Sequence, residues 1–410
     1  MTSRATSDPG YDVAAVRAHF PALREGAAHF DGPGGTQTPD VVAEAVARTL
    51  TSAVANRGFV TAAERRAEEI VGACRAALGD LLGADPRGVI FGRSATALTY
   101  DLSRALGRTW GPGDEVVVSR LDHDANVRPW VQAAAAVGAT VRWADFDPAT
   151  GEQRAEEFAA VITERTRLVA MTAASNLIGT KPPVCRVGEL AHEVEALLWV
   201  DGVHASAHAS VDLRRLGADF WTCSPYKFLG PHCGVVAADP EILEGLAIDK
   251  LAPSRDEVPE RFEFGTLPYE LMAGTTAAVD FLASLSGEQD AASHRRDRLV
   301  AAFDAIHAHE QRLGARLEAG IRALPGVRVF ANAAKRTPTL LFTLDGHDDQ
   351  DVRRALAERG VNAPAGSFYA LECSRRLGLG DDGAIRVGLA PYTDDSDVDR
   401  LLAALEEIVG

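Results

Sequence analysis

The chain has 410 residues, 46% of them hydrophobic and 24% charged, and a formal net charge of −16. That length suits two domains around a shared site better than one core. The acidic balance, with no basic run, speaks against nucleic-acid binding, which rests on Lys and Arg neutralising phosphates.

The opening MTSRATSDPGYD is polar, has no apolar stretch of the kind a secretory signal needs, and is expected to start a flexible arm over 1–28. Ala62–Leu82 carries apolar residues at helical spacing. A short apolar strand, 89–91, is followed by a Gly92-Arg93 turn, by Ser94-Ala95-Thr96, and by a helical stretch over 97–105. A strand, a small polar turn and a helix start leave free N–H groups pointing outward, which is a ready anion site. Further strands are predicted at Glu115–Ser119, Thr140–Ala144, 167–172, Leu197–Asp201, 220–224 and 234–237, with helices such as 130–137 and 187–196 between them. Apolar strands alternating with helices imply a mostly parallel sheet covered on both faces. Ligands bind such sheets beyond the carboxyl ends of the strands. No apolar run of about 18 residues is free of charges and turn formers, so no membrane span is predicted. From about residue 285 the texture changes. SGEQDAASHRRDR would begin a long helix reaching Ala323, followed by strands at 327–331 and Thr339–Leu344 and helices at 351–359 and 395–408. The expected division is a large domain over 29–285 and a smaller α+β domain over 286–410.

The densest signal is VDGVHASAHASVDLRRLGADFWTCSPYKFLGPHCGVV, from Val200 to Val236. Taken singly, Asp201 reads as a strand-end cap and Lys227 as a solvated loop lysine. Adjacent parallel strands joined by a crossover would bring both to one crevice.

The pattern V-D-G-x-H…D-F…S-x-x-K-F-L-G-P resembles the cofactor segment of the class V aminotransferase group, which includes cysteine desulfurases and selenocysteine lyases. FDGPGGTQTP near Phe30, RFEFGTLPYE at Arg261, GSFYALE at Gly366 and RVGLAPYT at Arg386 are similar to segments of its cysteine desulfurase-like branch, in the same order. The resemblance implies an α/β fold of the fold-type I class, a seven-stranded large domain and a smaller C-terminal one, and a pyridoxal 5′-phosphate (PLP) enzyme acting on a small amino acid. It implies that Lys227 forms the Schiff base and moves the Cα proton, and that Asp201 partners the pyridine nitrogen. His123 would stack on the ring and help with proton transfer. Asn176 and His204 would lie at the phenolic oxygen. Desulfurases carry glutamine at the latter position, and a histidine there could titrate near neutral pH. Ala95 and Thr96 would hold the phosphate through backbone N–H groups, with Ser224 and Tyr226 adding hydroxyls. Gly265 and Thr266 match a segment that reaches the phosphate from the neighbouring subunit, so a homodimer is implied. Arg386 matches the arginine that binds the substrate carboxylate, aided by Asn176.

One departure bears on the reaction. Desulfurases use a mobile cysteine where this chain reads GSFYAL, with Tyr369 near the cysteine's place. Cys373, four residues on, reads as a buried packing residue on a helix, and Cys223 and Cys233 as packing against the sheet. With Cys74 and Cys185 the cysteines number five and form no CxxC pair, which argues against a disulfide framework or a zinc site and fits a reducing, cytoplasmic compartment. The expected reaction is an elimination, at a C–S or related bond, with transamination and epimerisation as alternatives. Tyr369 would act as an acid or only line the pocket. A catalytically silent binding module would require that Lys227 form no imine.

Overall fold

The computed structural model describes residues 11–286, 293–330 and 332–410. Seven strands form its main sheet: β1 (Val89–Gly92), β2 (Glu115–Ser119), β3 (Thr140–Ala144), β4 (Thr166–Thr172), β5 (Leu197–Asp201), β6 (Phe220–Cys223) and β7 (Gly234–Ala238). Their spatial order is β1-β7-β6-β5-β4-β2-β3. Only β7 runs antiparallel to its neighbours. The central strands are apolar runs because both faces are covered: Leu168 to Met171, Leu198 to Val200 and Val235 to Ala237 are all buried. Edge strand β3 instead alternates exposed and partly buried positions. The expected strand 220–224 stops one residue early. Ser224 leads into the turn Pro225–Lys227, because Pro225 has no N–H for the ladder.

The helices form much as their periodicity predicts. α1 (Ala62–Leu82) opens with a capping box in which Thr61 accepts from the Glu64 N–H and Glu64 accepts from the Thr61 N–H. α2 (Ala95–Gly107) begins after Ser94, whose hydroxyl accepts from the Ala97 N–H at 3.1 Å. α3 (Tyr269–Ser284) packs on α1. α4 covers Arg295–Ala323; part of its expected start, 287–292, lies outside the described residues. α4 serves two cores. Leu299, Phe303 and Ile306 join the core beside the main sheet, and Leu313, Leu317 and Ile321 join that of the C-terminal segment.

The C-terminal segment holds a four-stranded antiparallel sheet of β8 (Val327–Val329), β9 (Thr339–Leu344), β10 (Ala365–Gly366) and β11 (Ala384–Gly388), ordered β10-β11-β9-β8. β8 is shorter than expected, and residue 331 lies outside the described residues. Residues 1–10 do too, but the rest of the expected flexible arm is docked. The Tyr11 hydroxyl donates to the Pro391 carbonyl at 2.7 Å, and Arg17 pairs with Asp394 at 3.0 Å and Asp397 at 2.6 Å. Partners in the C-terminal segment hold what composition alone read as mobile. Ala28–His29 then pairs in parallel with Val361–Asn362.

Candidate functional site

The carboxyl ends of β2, β4, β5 and β6 converge on one cavity of about 650 Å³. Each strand delivers a side chain just past its end: His123 after β2, Asn176 after β4, Asp201 closing β5 with His204 beyond it, and Lys227 after β6. The register explains the convergence, since Thr172 pairs with Asp201 and Asp201 with Thr222. Opposite lies the start of α2. Gly234, on β7, passes so close that a Cβ there would meet the Ser94 carbonyl carbon at 2.1 Å and the Ala95 nitrogen at 2.3 Å. The helix start therefore sits against the sheet, and Ser94, Ala95 and Thr96 line the cavity, where the free N–H groups of a helix start suit an anion.

Lys227 is 8% exposed. Its amine donates to the carbonyls of Pro33 and, at 2.8 Å, Gly34, and lies 5.0 Å from the Tyr226 ring centre. Burial, reinforced by the charge of Arg386, pulls the ammonium down to about 7. Asp201 accepts from the Val203 N–H at 2.9 Å, and burial raises its carboxyl to about 6. The His123 ring is fixed by accepting the Ala125 N–H on Nδ1 at 3.0 Å, and burial beside Lys227 lowers it to about 4. It is therefore neutral at pH 7, with its proton on Nε2. The loop under it is held by Asp122, which accepts from Asn126 at 2.5 Å and from the Thr172 N–H at 3.0 Å.

His204 departs from expectation. It is 3% exposed, and burial pushes its pKa well below the ordinary histidine value, so it stays neutral instead of titrating near pH 7. Its Nε2 is hydrogen-bonded to the hydroxyls of Thr337 at 2.8 Å and Thr339 at 3.2 Å, while its Nδ1 is buried without a partner. Asn176 likewise has an unpartnered buried Oδ1, while its Nδ2 donates to the Phe368 carbonyl at 2.9 Å. Ser224 and Tyr226 line the same cavity, and the Tyr226 ring stacks on His232 with centres 4.7 Å apart. Gly265 and Thr266, expected at the phosphate, do not line it; both are exposed in this chain. Tyr369 reaches the mouth, 75% exposed.

Several lining residues escaped the sequence reading, among them Asp31, Tyr100, Arg128 and Phe368. Asp31 and its glycines stood in the FDGPGG motif, where an acidic residue among turn formers was the available signal. Phe368 and Tyr369 both adopt positive φ, 51° and 60°, a strained conformation that composition does not disclose.

A carboxylate at a strand end, a buried low-pKa amine, a helix-start anion cradle and unpartnered polar atoms between them form a donor set that fits a phosphorylated pyridine aldehyde. These features define an α/β enzyme of the PLP-dependent fold-type I class. The Aminotransferase class-V family model matches residues 28–401. An uncharacterized Mycobacterium tuberculosis protein, MT3887, is 34% identical over 97% of this chain and 99% of its own length. A probable cysteine desulfurase of Pseudomonas aeruginosa is 32% identical over 95% of this chain and 96% of its own. The crystal structure of the Escherichia coli cysteine desulfurase CsdA superposes with a TM-score of 0.84 at 26% identity, covering 97% of this chain and 98% of that one. The chain belongs to the class-V aminotransferase family, in its cysteine desulfurase-like group, and the cofactor this membership indicates is PLP.

Proposed function

We propose that the protein is a lyase that eliminates a Cβ or Cγ substituent from a small amino acid, at a C–S or related bond. The observation that carries this reading is the desulfurase-like framework without its attacking thiol. Tyr369 stands in that loop, and Cys373 is fully buried on the helix Leu371–Arg376, where burial pushes its thiol far up. A thiol so placed is neither ionised nor accessible.

When bound, the cofactor's protonated pyridine ring draws electron density from the substrate Cα. Asp201 would supply the carboxylate that keeps the ring nitrogen protonated, and the N–H groups of Ala95 and Thr96, with Ser224 and Tyr226, would hold the phosphate. His123 would cover the ring, and Asn176 and the unpartnered Nδ1 of His204 would serve the phenolic oxygen. Arg386 holds the substrate carboxylate. Lys227, whose burial favours the free amine, takes the Cα proton. For a β-substituted substrate, the Cβ–X bond then breaks with its electron pair leaving on X, and hydrolysis yields HX, a 2-oxo acid and ammonia without a redox partner. In this reading 29–285 and 286–410 are the two domains enclosing the site. Gly265 and Thr266 complete a neighbour's site in a homodimer, and the unpaired cysteines suit the cytoplasm.

The test incubates the loaded enzyme with β-substituted amino acids such as L-cysteine and O-acetyl-L-serine. Pyruvate and ammonia released in equal amounts support elimination. Amino-group transfer to an added 2-oxo acid, without pyruvate, assigns the protein to transamination instead.

A further inference from the structure

Arg386 lies on β11 with its side chain 2% exposed, so its charge depends on the groups around it. Three sides are occupied. Nη1 donates to the Asn176 carbonyl at 3.0 Å, Nη2 donates to Asp31 Oδ1 at 2.6 Å, and the guanidinium lies 3.6 Å from the Phe368 ring centre. Nε is buried without a partner. The guanidinium assigned to a substrate carboxylate thus already holds one.

The DGPGG turn builds that contact. The N–H groups of Gly34 and Gly35 both donate to the Asp31 carbonyl at 2.9 Å, which curls the turn beneath the carboxylate. A Cβ at Gly34 would meet both Asp31 carboxylate oxygens at 2.3 Å, so glycine lets the carboxylate take this position over the turn. The backbone beside Asp31 is tied down, since the Gly388 N–H donates to the Phe30 carbonyl at 2.8 Å. The Asp31 side chain, in contrast, is 44% exposed. It can rotate to water without moving the turn.

We propose that Asp31 is an internal stand-in for the substrate α-carboxylate, exchanged for it on binding. The incoming carboxylate takes Nη2 and the vacant Nε together, and Asp31 turns outward. Exchange of one carboxylate for another keeps the buried guanidinium paired throughout, which matters because stranding such a charge is costly. The bidentate geometry favours the newcomer over the single contact of Asp31. An amine lacking a carboxylate cannot make this exchange, so Asp31 restricts the substrate class to amino acids with a free α-carboxylate. This inference rests on Arg386 being the carboxylate site.

The test is calorimetric titration of acetate, the bare carboxylate, into cofactor-loaded protein. Asp31→Asn and Asp31→Ser should each bind acetate about tenfold or more tightly than the parent, since the competitor is gone. Arg386→Lys in the Asp31→Asn background should abolish the gain. Unchanged or weaker acetate binding in both Asp31 variants overturns the exchange. A gain that survives Arg386→Lys overturns the assignment of Arg386 itself.

Discussion

His123 and Tyr369 lie ring over ring across the cavity mouth, with centres 5.4 Å apart and planes inclined by 30°. The Tyr369 carbonyl also accepts from the Asp124 N–H at 2.7 Å, so the loop is bolted to the segment that carries His123. The ring and the backbone make these contacts, and the hydroxyl is needed for neither. Tyr369→Phe should therefore keep a near-normal turnover rate. A fall of 100-fold or more, about 2.7 kcal/mol, would make the phenol an acid in the reaction.

Lys227 sets a pH dependence. Capture of an aldehyde needs the free amine, so fixation of PLP by borohydride should rise with pH, with a midpoint near the amine's own value of about 7. A midpoint above pH 9 would mean an ordinary lysine. The stability of the cofactor-free protein follows the same group. Below pH 7 both folded and unfolded chains carry the charge, and its burial destabilises the fold in full. Between pH 7 and the ordinary lysine value the unfolded chain binds the extra proton, so stability should rise with pH there. Asp201, raised to about 6, acts below that window.

Arg386→Ala removes the guanidinium that the proposed function assigns to the substrate carboxylate. Substrate binding should weaken on the order of 2–5 kcal/mol, read as KM in steady-state kinetics, with kcat less affected. An unchanged apparent affinity would contradict the assignment.

Stability should be most sensitive away from the cavity, at Arg75. Its guanidinium pairs with Glu263 at 2.6 Å and Glu260 at 2.9 Å, while Glu263 also accepts from the Phe91 N–H at 2.9 Å. This knot joins α1, β1 and the segment before Gly265. Arg75→Met leaves Glu263 buried and unpaired, and denaturant unfolding should show a loss of about 3–5 kcal/mol, partly restored by adding Glu263→Gln. A loss under about 1 kcal/mol would show that the pair is dispensable.

Much of this was legible in the residues. The strands of the main sheet follow from β-branched and apolar runs between helical stretches, and the strand ends bring Asp201 and Lys227 to one crevice, while the roles expected of them come from the family resemblance. What stayed hidden depends on long-range contacts. Tyr11 and Arg17 look mobile until Pro391, Asp394 and Asp397 are beside them. His204 looks like a titrating group until Thr337 and Thr339, far along the chain, close over it. Asp31 carries no periodic signal, and its meaning comes only from Arg386, 355 positions away.

The most direct test of the central claim is to incubate the protein with PLP, reduce with borohydride, digest it and map the modified peptide. The chain's other lysines, Lys181, Lys250 and Lys335, are internal controls. The account predicts stoichiometric modification on the peptide containing Lys227 and its loss in Lys227→Ala. Modification of another lysine, or of none, would contradict it.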